Sequence, residues 1–471
     1  MRLQIVFWLT FMLYSGSALS QSVLFGADLS YTNEMEDCGV VYKVKDQPKD
    51  PFKIFSEHGC DLVRLRLWHS PAWYDTLNAG KRYSDVHDVR KSIARAKANG
   101  MKVLLDFHLS DTWADPKRQL VPVAWEGVVD NLPLLKDSLY NYIKQTLLDL
   151  NHSGLMPELV QIGNETNRGI LLSPAVDSAG WSLDWDRNSQ LFNRAIEAVR
   201  DVERSTGKSI KVAIHIAGPA DAWWLMDGFW KHGVRDFDII GLSYYWAWHQ
   251  PTSIEDAGNV VAELRRDYPG KEVMIFETGY IWTNKWNDNA SNIITAVHPD
   301  YAPASPENQR KWLIDMSQEV IKKGATGVVY WEPAWQSSPC RTPWGQGSHQ
   351  EHATYFDFQN NLLQGGGMDF MAHKYEPIKA PEEHGSFASF KVYPDEGKHG
   401  LQIKLEGFSL DKFLQVNLLD HNGKKVASQL FSSAKGAQLN FPIPVLPAGL
   451  YYVAIYEQGV CRAARGVALG K

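Results

Sequence analysis

Residues 159–165, LVQIGNE, decide how the rest of the chain is read. The apolar run Leu159–Val160–Gln161–Ile162 climbs into Gly163 and ends on Asn164 and Glu165. A strand that stops on an amide and an acid either meets a solvated loop or delivers an acid to a reaction. The choice turns on how the other strands of the chain end.

Seven further runs have the same form: VLFGADLSY, LVRLRLW, KVLLDFH, KVAIHIAG, DIIGLSYY, VMIFETG and GVVYWEP, beginning at residues 23, 62, 102, 211, 238, 273 and 327. Between them lie helix-like patterns that stop on glycine: 88–100 at Gly100, 189–207 at Gly207 and 308–324 at Gly324. Eight strands alternating with helices over about 350 residues predict an α/β fold, the (β/α)8 or TIM barrel. A doubly wound open sheet is the alternative. It usually opens with a glycine-rich turn after its first strand, and FGADLSYTNEMED stands there instead.

Residues 379–386, KAPEEHGS, read as linker. Beyond them short alternating runs (SFKVYP, LQIKLEG, FLQVNLLDHNG, KVASQLF, AQLNFPI, LYYVAIYEQG) predict a small β-sandwich, with a hairpin turn at HNGK. The expected division is a signal peptide over 1–20, the barrel over 21–378, a linker over 379–388 and the sandwich over 389–471. The signal peptide rests on Arg2, the apolar centre LQIVFWLTFMLY and the small residues SGSALS, with a cut after Ser20. The apolar stretch is short for a membrane span.

The formal net charge of -6, with no basic run and no phosphate-cradling glycine loop, argues against nucleic acid as a partner. The 18 Trp, 19 Tyr and 19 Phe can fill a core, but many of the Trp lie in polar contexts such as SDTWADP and RTPWGQG, where a core does not need them. Flat apolar faces in a polar cleft suit sugar rings. The four cysteines, Cys38, Cys60, Cys340 and Cys461, have no metal-type spacing. Cys38 follows strand one and Cys340 follows strand eight. Those strands are neighbours in a closed barrel, so a bridge is geometrically reasonable.

In this barrel the chemistry sits at the C-terminal strand ends. Those ends carry Asp28; Arg64, Arg66 and Trp68; Asp106 and His108; Asn164 and Glu165; His215; Tyr244 and Tyr245; Glu277; Trp331 and Glu332. Two carboxylates facing across a cleft are what glycoside hydrolysis requires. Glu165 on strand four and Glu277 on strand seven fit that need.

The motifs GADLSYTNEMED, VRLRLW, DFHLSDTWADPKRQ, QIGNETNRGILL, DIIGLSYYWAWH, ETGYIWT and GVVYWEPAW resemble glycoside hydrolase family 53, the arabinogalactan endo-β-1,4-galactanases, from Gly26 to about Phe358. DFHLSDTWADP is the most specific of these strings. The resemblance implies a retaining endo-glycosidase cutting β-1,4-galactan side chains of pectin, with Glu165 as acid/base and Glu277 as nucleophile. On the substrate side stand Asn164, an arginine of strand two (Arg64, or Arg66 by alternation), His108, Asp111, His215 and Tyr245, with Tyr244 as its rival. Trp331 is expected under the sugar, with Trp113, Trp335 and Trp344 as cleft walls. Glu332 is expected to turn away from Trp331 and to be structural.

Catalysis needs no cofactor on this reading. Bacterial members of the family hold calcium after strand seven. Here that loop offers Asn287, Asp288, Asn289, Ser291 and Asn292. These are oxygen donors of the kind calcium prefers, with only one carboxylate among them. A solvated loop and a structural calcium site remain the two alternatives.

The C-terminal stretches NGKKV, LPAGLYYVAIYEQG and RGVALGK resemble the sorting domain of the type IX secretion system of Gram-negative bacteria. A carbohydrate-binding module and a plain spacer are the other readings. The chain is thus expected to be secreted or surface-held and monomeric, with galactan as its partner. Two rivals stand beside this reading: the same chemistry on another β-1,4-glycan such as mannan or xylan, and a non-catalytic glycan-binding protein on the same fold.

Overall fold

The eight apolar runs form the staves of one closed parallel barrel in this computed structural model, which describes residues 23–178, 183–376, 389–394, 400–406, 408, 414–420, 425–431, 438–457 and 460–469. The strands are β1 (Leu24–Asp28), β2 (Leu62–Leu67), β3 (Lys102–Phe107), β4 (Leu159–Ile162), β5 (Lys211–Ala217), β6 (Ile239–Ser243), β7 (Glu272–Glu277) and β8 (Gly327–Tyr330). They follow chain order around the ring, and β1 closes on β8 with Leu24 opposite Gly327.

Strand alternation sorts the side chains into two sets. One set, Leu24, Leu62, Leu104, Leu159, Ala213, Ile239, Met274, Phe276 and Val329, packs together as the floor of the barrel interior. The other, including Val63, Leu105, Val160, Ile214, Leu242 and Ile275, joins the helices in the main core. Gly241 makes room for the floor: a Cβ there would lie 2.2 Å from the Phe276 ring.

The surrounding helices are α1 (Pro51–Glu57), α2 (Val86–Ala98), α3 (Leu132–His152), α4 (Trp185–Thr206), α5 (Pro219–Lys231), α6 (Ile254–Asp267) and α7 (Pro306–Lys322). The three helices read from sequence, α2, α4 and α7, each start before their apolar pattern does. A side chain caps each start: Asp85 accepts from Asp88 N–H, Asp184 from Arg187 N–H and Ser305 from Asn308 N–H. After β8 a short 3-10 turn, Gly367–Phe370, stands where an eighth helix would be, and Gly367 N–H donates to Gln309 of α7. None of the described helices is long and apolar enough to cross a membrane.

Cys38 and Cys340 are disulfide-bonded, with Cα atoms 5.7 Å apart, and so tie the loops after β1 and β8. Cys60 is buried and free.

The C-terminal part is all-β. Strands β9 (Ser389–Pro394), β10 (Gly400–Glu406) and β13 (Gln438–Pro442) form one antiparallel sheet. Strands β11 (Leu414–Leu419), β12 (Lys425–Phe431), β14 (Gly449–Glu457) and β15 (Val460–Leu469) form the other. One apolar cluster joins the two sheets, with Phe390, Ile403, Phe441, Val416, Val453 and Val467 in it. Six of these strands are those expected; β15 is a seventh. The expected signal peptide, the linker 379–388 and the HNGK turn lie outside the described residues.

Candidate active site

Above the apolar floor the inward positions turn polar. Arg64 of β2 is their centre, buried completely. Its Nη1 donates to Asp28 Oδ2 at 2.8 Å and stands 2.9 Å from Glu277 Oε1. Its Nη2 donates to Asp106 Oδ2 at 2.8 Å and to Asn164 Oδ1 at 2.7 Å, and its Nε donates to Gln161 at 3.0 Å. Burial works against the guanidinium charge, but Asp106, Glu277 and Asp28 outweigh it and raise its pKa above the ordinary value. A buried cation held by three acids is a rigid anchor, because losing any partner would strand a charge.

Glu277 ends β7, and simple alternation would turn it away from the interior, since Phe276 already faces inward. A β-bulge reverses this. Leu242 pairs with Ile275 and Ser243 pairs with Glu277, so Phe276 has no partner on β6. The bulge re-aims Glu277 into the barrel mouth. There Tyr245 O–H donates to its Oε2 at 3.1 Å. Burial pushes Glu277 up to about 7, against the downward pull of Arg64 and of the Tyr245 hydroxyl.

Glu165 comes from a strained turn. Gly163 has φ +71°, where a Cβ would lie 2.6 Å from Thr166 Cγ2, and Glu165 itself has φ +45°. A non-glycine residue in that region is disfavoured and is often held there by a functional demand. The Glu165 carboxyl reaches past β5 to β6, where Ser243 O–H donates to Oε1 at 2.6 Å. Ser243 also lies 3.0 Å from His215 Nε2 and pairs in register with Glu277, so the two glutamates meet over one strand. Burial raises the Glu165 pKa well above the usual carboxylate range, and the Glu277 charge raises it further. Glu277 therefore ionises first and Glu165 holds its proton.

The neighbours follow. Asn164 Oδ1 takes Arg64 and lies 2.9 Å from His215 Nδ1, while its Nδ2 donates to Ala114 O at 2.7 Å. Burial, with Arg64 and His108 nearby, keeps His215 neutral. His108 sets Nδ1 on Asp106 at 2.8 Å, and its buried Nε2 has no partner among the described residues. That nitrogen is left free at the barrel mouth. Tyr244 turns elsewhere, donating to Thr252 O at 3.0 Å, so Tyr245 alone of the two reaches Glu277.

Trp331, Trp113 and Trp335 form one aromatic wall, with ring centres 5.9 and 6.1 Å apart. Trp335 is stacked on Tyr31 at 3.9 Å and is buried, so it backs the wall rather than facing the cleft. Trp344, further out, is exposed and meets Trp73 at 5.6 Å.

Arg66 does not join Arg64. It pairs with Glu332 at 2.9 Å under the rings of Tyr31, Trp68 and Trp113, each within 4.6 Å. It lies behind the wall. Glu332, at φ +47°, also accepts from Tyr31 N–H. Asp111 spends both oxygens on backbone N–H groups, of Ser70 at 2.8 Å and Val123 at 2.9 Å, and braces two loops.

Around 287–292, Asp288 Oδ1 accepts from Ala290 N–H at 2.8 Å and Oδ2 from Ser348 N–H at 2.7 Å. Ser291 O faces His349, and Asn292 is buried with its amide unpartnered among the described residues. With its single carboxylate taken by backbone donors, this set does not fit calcium. Among the described residues no group of three or more His, Cys, Asp or Glu is placed to hold a metal ion.

Two members of the cluster, Ser243 and Gln161, are not singled out by the strand-end reading. Each had a signal: a polar residue at an inward position of an apolar run.

Residues 24–367 match the sequence profile of Glycosyl hydrolase family 53, and residues 391–462 match that of the Secretion system C-terminal sorting domain. An arabinogalactan endo-beta-1,4-galactanase of Cellvibrio japonicus is 46% identical over 354 residues, covering 74% of this chain and 91% of that protein. An endo-beta-1,4-galactanase of Bacillus subtilis is 35% identical over 327 residues, covering 67% of this chain and 71% of that protein. The solved GH53 catalytic domain of Ignisphaera aggregans superposes with a TM-score of 0.66 at 30% identity, covering 76% of this chain and 98% of that one.

Proposed function

The chain belongs to glycosyl hydrolase family 53 and is a glycoside hydrolase acting on galactan, and we propose that it cuts β-1,4-galactan side chains in mid-chain by double displacement, with Glu277 as nucleophile and Glu165 as acid/base. The observation that carries the assignment is the unequal support of two neighbouring carboxyls: Arg64 and Tyr245 on Glu277, Ser243 alone on Glu165.

In the first step the Glu277 carboxylate attacks the anomeric carbon, and Glu165 passes its proton to the departing glycosidic oxygen. The bond to the leaving sugar breaks and a glycosyl ester forms on Glu277. In the second step Glu165 takes a proton from water, which attacks the same carbon and frees Glu277 with the original anomeric configuration. His108 Nε2 and the second Nδ2–H of Asn164 would meet sugar hydroxyls, and Trp331 would give the ring a face to stack on. No cofactor enters either step.

The division into a signal peptide over 1–20, a barrel over 21–378, a linker over 379–388 and a sandwich over 389–471 completes the reading, with a monomeric enzyme exported to the cell surface or beyond. The match to a secretion sorting domain supports that destination.

The test is product analysis on purified galactan, mannan and xylan. Galactan alone should be cut. Glu165→Gln and Glu277→Gln should each lower turnover by roughly 10²–10⁴-fold while the fold remains. Azide should rescue Glu277→Ala and give an inverted product. Wild-type turnover by Glu277→Gln would remove the nucleophile assignment, and no cleavage of galactan would remove the substrate.

A further inference from the structure

The loop after β3 folds back on the turn that carries Glu165. Its string DTWADPKRQ, residues 111–119, reverses direction over Asp115, Pro116, Lys117 and Arg118. Asp115 N–H donates to Arg118 O at 2.8 Å and Arg118 N–H returns to Asp115 O at 3.0 Å. Asp115 Oδ1 also accepts from Lys117 N–H at 2.7 Å. An aspartate opening the turn with proline behind it suits this geometry. Gln119 leaves the turn and is only 2% exposed. Its backbone is fixed on both sides: its N–H donates to Asp177 Oδ1 at 2.8 Å, and its carbonyl accepts from Leu172 N–H at 2.7 Å.

The side chain of Gln119 then points at the acid. Its Nε2 donates to Asn164 O at 2.8 Å and to Glu165 O at 3.2 Å, and it also lies 3.1 Å from Asp115 O. Asn164 O and Glu165 O belong to the two planar peptide units that flank the Glu165 Cα. The orientations of those planes are the φ and ψ of Glu165. One amide therefore holds both torsions of a residue whose φ is +45°. Such a conformation persists only when its surroundings over-determine it. The same loop adds two further ties: Ala114 O accepts from Asn164 Nδ2 at 2.7 Å, and Lys117 O accepts from Arg168 Nη1 at 2.7 Å. On the opposite flank β5 holds the turn through Thr166 N–H on His215 O at 2.9 Å. Among the described residues Gln119 is the one side chain that reaches both peptide oxygens.

We propose that Gln119 is a positioning residue for the acid step: by gripping the peptide oxygens on either side of the Glu165 Cα, its amide aims the Glu165 carboxyl at the departing glycosidic oxygen. This rests on Glu165 being the acid/base. The consequence depends on the leaving group. A sugar hydroxyl is a poor leaving group unless it is protonated as the bond breaks, so galactan needs a well-aimed acid. Dinitrophenolate departs as a stable anion while Glu277 forms its ester, and needs no proton.

The experiment uses the full chain with Gln119→Met, Gln119→Asn and Glu165→Gln, each assayed on galactan and on 2,4-dinitrophenyl β-1,4-galactobioside. For Gln119→Met, kcat/KM on galactan should fall roughly 10–100-fold, the loss lying in kcat, because a displacement of about 1 Å is enough to slow chemistry that much. On the dinitrophenyl substrate kcat/KM, which reports the first step alone, should fall by less than about threefold. Both substrates meet the same preparation, so the ratio of the two losses does not depend on the fraction folded. Gln119→Asn, too short to reach both oxygens, should show the same selectivity, and it carries the test if the Met variant does not fold. Equal losses on the two substrates, or no loss on galactan, would overturn the positioning role. Glu165→Gln separates the two levels of the reading. If it is selective for the leaving group and the Gln119 variants are not, the inference about Gln119 fails alone. If Glu165→Gln loses both substrates alike, the acid/base assignment itself fails.

Discussion

Replacing Tyr245 with Phe should move the acid limb of activity upward by about one pH unit. The Tyr245 ring packs 4.3 Å from Trp248, and Phe keeps that contact, so the change reduces to one hydroxyl. That hydroxyl donates to Glu277 Oε2 at 3.1 Å, while Arg64 holds the other oxygen at 2.9 Å. A hydrogen bond to a charged group contributes about 1.5–3 kcal/mol, and a contact at the longer end of the range belongs near the lower figure. At about 1.4 kcal/mol per pH unit this is one unit. The hydroxyl lowers the Glu277 pKa, which burial has pushed up to about 7, so its loss raises that pKa.

On the proposed roles Glu277 must be ionised to attack, so activity is then lost at a higher pH than in the wild type. The assay is kcat/KM on galactan from pH 4 to 9. One unit below the wild-type limb the variant should run close to tenfold slower than the wild type, converging with it on the plateau. Tyr244→Phe is the control, since its hydroxyl donates to Thr252 O at 3.0 Å, and it should leave the limb in place. An unmoved limb in Tyr245→Phe, or an equal shift in Tyr244→Phe, would refute the reasoning.

Glu165→Gln should stabilise the fold in a pH-dependent way. The unfolded carboxyl ionises near 4.5 and the folded one well above it, so the folded wild type binds more protons and loses stability as pH rises through that window. Denaturation midpoints of variant and wild type should coincide near pH 4 and separate toward pH 8, the variant higher; the opposite order would contradict the burial argument. Cys38→Ser should lower unfolding free energy by about 2–5 kcal/mol, read by denaturant titration against the same protein fully reduced, which should match it. A chelator should leave both the melting temperature and galactan turnover unchanged, because the Asp288 oxygens are occupied by backbone N–H groups; a drop in melting temperature reversed by calcium would show a bound ion.

The barrel was legible because each strand repeats one signal: a β-branched or leucine-rich outer set, an apolar inner floor, and a polar residue where the run ends. Helix starts were read late because capping residues such as Asp85 and Ser305 precede the apolar pattern. Helix α5 escaped notice because it has no clean polar side: Trp223 faces the C-terminal sheet while Leu225, Met226 and Phe229 face the barrel core. Strand β15, VCRAARGVAL, has no aromatic residue and only two β-branched ones, Val460 and Val467, and pairing with β14 makes it a strand. At the site, alternation places Arg64 and Arg66 on the same side of β2 and cannot choose between them. Depth chooses: Arg64 stands level with Asp28 and Asp106, Arg66 with the loops around Ser84 and Glu332. The bulge at Phe276 leaves no trace in sequence, since VMIFE reads as an ordinary strand.

That bulge explains why two glutamates in one mouth do not titrate as equals. Had β7 run straight, Glu277 would point toward the helices and Arg64 would balance only Asp28 and Asp106. By turning inward, Glu277 comes within reach of the one buried cation of the layer, while Glu165, arriving from the other side, meets only the neutral Ser243. The order of ionisation is therefore set by which strand carries the arginine. On the proposed roles the same asymmetry runs the second step. Once Glu277 is esterified its charge is gone, and with it a principal influence that raised the Glu165 pKa. Glu165 has just given up its proton, and with a lowered pKa it stays ionised as the base for the incoming water; as water attacks and the ester breaks, the Glu277 charge returns and Glu165 holds the proton it has taken. Removing Arg64 would disturb both halves of this cycle at once, whereas removing Ser243 would touch only the acid, so Ser243→Ala should move the alkaline limb of kcat/KM and leave the acid limb where it is; a shift of both limbs would mean that the two carboxyls are not separately supported.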